Sequence, residues 1–151
     1  MNKLVAILAS VVASLMLAAG ACAQTSDDRV ALRGYDPVAY FTDKRPVPGS
    51  AKHQYEWDGS VYRFASAKHM QLFKANPDRY LPQYNSWCAA SVAKGEKVRT
   101  NPENWIVVDG KLYLFGKSIG PDLMRADPAA MKHRADSNWP VVSKLPGPPK
   151  N

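Results

Sequence analysis

Two Asp-Gly pairs constrain this chain more than any other feature. Asp58-Gly59 lies between His53–Trp57 and Ser60–Ala65, and Asp109-Gly110 lies between Trp105–Val108 and Lys111–Phe115. The two runs around Asp58-Gly59 alternate apolar with polar residues, and the runs around Asp109-Gly110 repeat the hairpin signal. An Asp-Gly pair fits the two positive-φ positions of a type I′ turn, so each stretch reads as an antiparallel hairpin. In the first hairpin the alternation turns Tyr55 and Trp57 inward on one arm, and Tyr62 and Phe64 on the other.

Around the hairpins the signals are helical and short. Ser66 is an N-cap for a helix over Ala67–Ala75, which Asn76-Pro77 ends. Asp78–Tyr80 forms a further turn of helix. Ser86 is a second N-cap, before Trp87–Ala93, with Gly95 at the C-cap. Asp122–Met124 and Ala129–Ala135 read as helical pieces, and Trp139–Val142 as a closing extended segment. Upstream, Gly34-Tyr35-Asp36-Pro37 is a turn and Val38–Phe41 a short strand. Hairpins interleaved with short helices make a small α+β domain of antiparallel β-hairpins, not a parallel α/β sheet. Twelve prolines in 151 residues argue against a long-helix bundle. No internal repeat and no linker is visible between about residues 30 and 143, so the fold is a single domain.

The ends are different. Lys3 precedes an apolar run over Leu4–Ala19, and Ala21-Cys22-Ala23 fits a small-x-small cleavage site. Residues 1–23 therefore read as a signal peptide, and the mature chain is periplasmic or secreted. Cleavage removes one lysine and no acidic residue from the 151 residues and the +7 formal charge. That leaves 128 residues and +6. Cys22 follows small residues, as a lipoprotein cysteine does, and lipidation there would be the one route to peripheral membrane contact. Residues 24–31 form a polar leader, 32–143 the domain, and 144–151 a flexible Pro-rich tail.

Charge and cysteines narrow the function classes. The lysines and arginines are scattered, with no block of four, and export removes the chain from nucleic acid; the basic balance describes a solvated surface. Two cysteines exclude a disulfide framework and a multi-cysteine zinc module. After cleavage only Cys88 remains, a lone thiol outside the cytoplasm.

Several segments together resemble the YHS-domain family in its secreted bacterial form. They are Gly34–Phe41, Tyr62–Ala67, Phe73–Tyr80, Pro82–Ala89, Val108–Leu114 and Ala135–Pro140, in that order and spacing. The resemblance implies a YHS-like fold over about residues 32–142 and an association with metal handling. Metal-holding relatives carry three cysteines, whose positions fall here on Ala39, Ala65 and His69. Two alanines and an imidazole cannot form a soft thiolate site.

The candidate chemistry therefore gathers on few residues. Cys88, near the start of a predicted helix, is favoured as a thiolate by unpaired N–H groups and the helix dipole. Cys88 and His69 are the expected metal ligands, for copper or zinc, and would need help from Asp36, a methionine or water. Asp36, Tyr40, Tyr84 and Trp87 are the expected lining of a ligand cleft near Cys88; Asp36 also suits capping of local backbone N–H groups. His53 and His133 have no partner at ligand spacing. Gly-x-Ser-x-Gly, phosphate-loop and His-Glu-x-x-His motifs are absent. The leading expectation is a binding module for a metal ion or small ligand. The alternatives are a thiol-dependent redox protein or enzyme using Cys88, and an interaction module without a small ligand.

Overall fold

A computed structural model describes residues 29–147. The predicted signal peptide, Cys22, most of the polar leader and residues 148–151 of the predicted tail lie outside the described residues. The order of elements is α1 (Ala39–Thr42), β1 (Ser50–Trp57), β2 (Ser60–Phe64), α2 (Ala67–Ala75), α3 (Pro77–Tyr80), α4 (Ala89–Val92), β3 (Asn101–Val108), β4 (Lys111–Phe115), α5 (Gly120–Ala126) and α6 (Pro128–Val142). Short 3-10 turns at Ala31–Gly34 and Gln83–Ser86 precede α1 and α4. The fold is α+β, with two separate two-stranded antiparallel hairpins.

Both hairpins form where Asp-Gly puts them. Asp58 and Gly59 have φ of 47° and 73°, and Asp109 and Gly110 have 51° and 72°, both residues of each turn being left-handed as type I′ requires. α2 starts at Ser66, whose hydroxyl accepts the His69 N–H, and stops at Asn76 because Pro77 follows. Phe73 then buries fully between Tyr62 and Phe64, with ring centroids 4.8 and 5.2 Å away. Burying one such ring is worth about 1.5–3 kcal/mol, which a nine-residue helix needs to form at all.

Four local expectations are corrected. Val38–Phe41 is not a strand: Asp36 caps the N–H groups of Val38 and Ala39, and the chain turns into α1. Trp57 is 37% exposed rather than inward, because it closes the hairpin beside the turn; its partner across the ladder is Ser60. Ser86 does not cap a helix. It ends a 3-10 turn at φ 66°, and Cys88 occupies the N-cap of a four-residue α4. Trp139–Val142 is not extended but the last turn of α6, which continues through Pro140. Proline there removes one N–H near a helix end. Trp139 and Val142 still pack on the core, and the Asn138 amide donates to the Val92 and Ala93 carbonyls at 3.1 Å.

The chain also contains a repeat, against the expectation of none. In the first hairpin Ser50 pairs with Phe64, the register breaks, and pairing resumes from Gln54–Arg63 to Trp57–Ser60. In the second, Asn101 pairs with Phe115, the register breaks, and pairing resumes from Trp105–Leu114 to Val108–Lys111. Every partner lies 51 residues after its counterpart. The approaches match as well. Leu32, Arg33 and Gly34 are consecutive left-handed residues, and so are Tyr84, Asn85 and Ser86. The next N–H closes each turn, Tyr35 onto Leu32 and Trp87 onto Tyr84. A parallel bridge joins Val30 to Val61, and another joins Pro82 to Leu112. Asp36 N–H donates to Val47 at 2.9 Å, and Cys88 N–H to Val98 at 3.0 Å. The exits match too: Asn76 before Pro77 and Asp127 before Pro128 share φ near −150° and ψ near 80°.

The two repeats share a wall. On β4, Leu112 and Leu114 pack into the core around Tyr40, Phe64 and Phe73, while Tyr113 and Phe115 pack into the core around Cys88, Val92 and Met124. The pleat sends alternate side chains to opposite faces, so one strand serves both cores. Tyr40 strengthens the join with its ring edge against Trp105 and its hydroxyl on the Pro102 carbonyl at 3.0 Å. Among the described residues no helix is long and apolar enough to cross a membrane.

Candidate functional site

Asp36 is fully buried and organises the first repeat. Its Oδ1 accepts from Val38 N–H at 2.8 Å and Ala39 N–H at 3.4 Å. Its Oδ2 accepts from Ala65 N–H at 2.8 Å and meets His69 Nδ1 at 2.7 Å. A carboxylate oxygen accepts, so Nδ1 is the donor in this contact. His69 Nε2 then faces the Thr42 hydroxyl at 3.3 Å and the Asp43 carboxylate at 3.7 Å. The His69 side chain is only 12% exposed. Asp36, from the loop before α1, thus ties together the start of α1, the end of β2 and the first turn of α2.

These are the segments that a thiolate-held ion would cross-link. Ala39 and Ala65 each give an N–H to Asp36, and His69 gives its ring. Tested against such an ion, the residues do not fit. Neither alanine offers a donor, the Asp36 oxygens are both engaged, and both His69 nitrogens face protein oxygens. Among the described residues no group of three or more His, Cys, Asp or Glu is placed to hold a metal ion.

Cys88 belongs to the other repeat. It is 5% exposed in a core of Tyr84, Ala89, Val92, Phe115 and Met124. Its carbonyl accepts the Ser91 and Val92 N–H groups, and its own N–H goes to Val98. His69 shares none of these partners. The structure joins His69 to Asp36, and Cys88 to Tyr84, but not the two pairs to one another. At the place of His69, five residues beyond the last strand residue, the second repeat has Gly120. A Cβ there would lie 2.3 Å from the Phe115 ring, so no side chain fits.

The expected aromatic lining divides among three environments. Tyr40 is buried under a groove of about 710 Å³ walled by β3 and α5. Tyr84 is buried with its hydroxyl on Asp136 at 2.8 Å; burial first and that hydrogen bond second hold its phenol well above the ordinary range. Trp87 lines a second groove of about 920 Å³, adjoining Cys88 in the chain. Lys97 lies 5.1 Å over the Trp87 ring and also donates to the Ser143 and Leu145 carbonyls, which fastens the start of the predicted tail.

The second groove has features the sequence reading missed. Leu32 and Arg33 reach it from one left-handed turn, and Asn85 and Ser86 from the other. Arg99 and Thr100, from the approach to β3, complete that side. Each left-handed non-glycine residue stores about 1–3 kcal/mol, and such strain concentrates at functional surfaces. The available signal was the repeat itself: Asp-Gly-x-x-Tyr-x-Phe recurs at residues 58–64 and 109–115.

Residues 38–84 match the family model of the YHS domain. The match covers α1 to α3 and the first hairpin; the second hairpin, α5 and α6 lie outside it. No curated protein and no solved structure matches the chain.

Proposed function

We propose, from a chain that belongs to the YHS domain-containing family, that it is an exported binding module whose fold needs no structural metal. The Asp36 carboxylate carries this reading: it takes the N–H groups of Val38, Ala39 and Ala65 and the His69 ring, where relatives would place thiolates on an ion. Four donors on one fully buried carboxylate satisfy the acceptor and fix three segments together. The module binds its ligand on the side of Cys88, in the groove that Asn85, Ser86 and Trp87 line. Export rests on the Leu4–Ala19 run and the Ala21-Cys22-Ala23 site.

The test is metal content. Protein made without a histidine tag is exposed to copper(II) and zinc(II), dialysed and measured by elemental analysis. The expected result is far less than one ion per chain, with the same melting temperature before and after chelation. One retained ion per chain that His69→Gln or Cys88→Ala abolishes would overturn the reading and restore those residues as ligands.

A further inference from the structure

We infer that the groove between the two left-handed turns binds a small oxyanion, a molecule bearing phosphate or carboxylate oxygens. The inference rests on the binding-module reading above and adds the ligand class and the residues that recognise it. Three arginines line the groove, Arg29, Arg33 and Arg99, against one acidic residue, Asp58; Arg99 is not without a partner of its own. Arg29 is partly committed, with Nη1 on Glu56 at 3.0 Å. Arg33 is exposed and makes no ion pair among the described residues. The rest of the lining offers Ser60, Asn85, Ser86, Thr100 and Asn101 as polar neighbours. Arginine forks match oxyanions bidentately, and polar side chains complete such a shell.

The repeat explains why these groups converge. Arg33 and Asn85 hold equivalent middle positions of the two left-handed turns, at φ of 53° and 49°, and face one groove. A left-handed backbone at a long side chain is costly, and the packing that enforces it sets where the guanidinium starts from. The other groove lacks this bias. Its Arg125 is paired with Asp122 at 2.5 Å, and the rest of its lining carries one basic residue, Lys44, and one acidic residue, Glu103.

The experiment is a titration of the full mature protein with inorganic pyrophosphate and, separately, citrate, followed by amide chemical shifts. Saturable shifts are expected at Asn85, Ser86, Thr100 and Asn101 and at the Trp87 indole for at least one probe. Binding should weaken about tenfold or more in Arg33→Gln with Arg99→Gln, and not in Arg125→Gln. The stronger probe identifies the oxyanion as phosphate or carboxylate. Absence of saturable shifts at the groove in folded protein overturns the inference. So do shifts that Arg125→Gln weakens as much as the double variant does, which would mark diffuse charge attraction. A retained metal ion would sink the metal-free reading without touching this titration, so the two failures are distinguishable.

Discussion

Asp36 and Cys88 hold the same place in the two repeats. Each backbone N–H donates to the valine carbonyl that leads into the following hairpin, Val47 and Val98. Each follows a left-handed turn, and each opens a one-turn helix. The difference is the side chain. Where the first repeat puts a carboxylate against His69, the second puts a thiol in the apolar core that includes Phe115 and Met124, and the histidine position becomes Gly120.

The polar clamp should be worth more than any surface contact. Asp36→Ala leaves three N–H groups and a ring nitrogen without their acceptor in a fully buried place. The expected cost is about 3–5 kcal/mol, near the whole stability of a small domain. His69→Gln should cost about 1–3 kcal/mol, since Asp36 keeps its backbone donors. Urea denaturation of both variants checks the order.

The second repeat should tolerate polarity poorly and bulk worse. Gly120→Ala drives a methyl to 2.3 Å from the Phe115 ring, and overpacking of this kind costs about 1–3 kcal/mol or more. Thermal melting should show the loss, and a wild-type-like midpoint would mean that Phe115 can move aside.

Cys88 should be unreactive while the chain is folded. A thiol 5% exposed among apolar side chains labels only through opening of the core. Thiol labelling is expected to be slow in native buffer and fast in denaturant, and Cys88→Ala should lose about 1–2 kcal/mol. Rapid native labelling would instead mark Cys88 as a chemical site.

Alkali should unfold the protein through its tyrosines. Burial pushes the Tyr62 phenol up to about 12, and burial together with Glu103 raises Tyr40 further. The unfolded phenols ionise from their ordinary value of 10.0. Both groups have a raised folded-state pKa, so their contribution is intact below pH 10 and is lost as pH rises through the folded values. Stability should fall above pH 10 by about 1.4 kcal/mol per pH unit for each such group. Tyr62→Phe should flatten that fall, measured by urea denaturation between pH 9 and pH 11.

The elements that read well from sequence are those fixed by local backbone chemistry. Asp58-Gly59, Asp109-Gly110, Ser66 and Asn76-Pro77 act within a few residues, and the structure has its turns, cap and helix end there. The misread elements depended on distant partners. Val38–Phe41 is helical because Asp36 caps it while held by Ala65 and His69, some thirty residues on. The end of α6 survives Pro140 because Asn138 and Val142 engage α4 and its core. Beyond Asp-Gly-x-x-Tyr-x-Phe the repeat is faint in sequence, because its other features are left-handed turns made of unlike residues, Leu32-Arg33-Gly34 and Tyr84-Asn85-Ser86. His69 and Asp36 lie 33 residues apart, and no local backbone signal dictates the hydrogen bond between them.

The most direct test of a metal-free clamp is a double-mutant cycle over Asp36→Asn and His69→Gln, measured by urea denaturation once with chelator and once with added zinc. A coupling of about 1–3 kcal/mol, the same in both conditions, is expected. A wild-type stability that drops in chelator, with a coupling that disappears there, would contradict it.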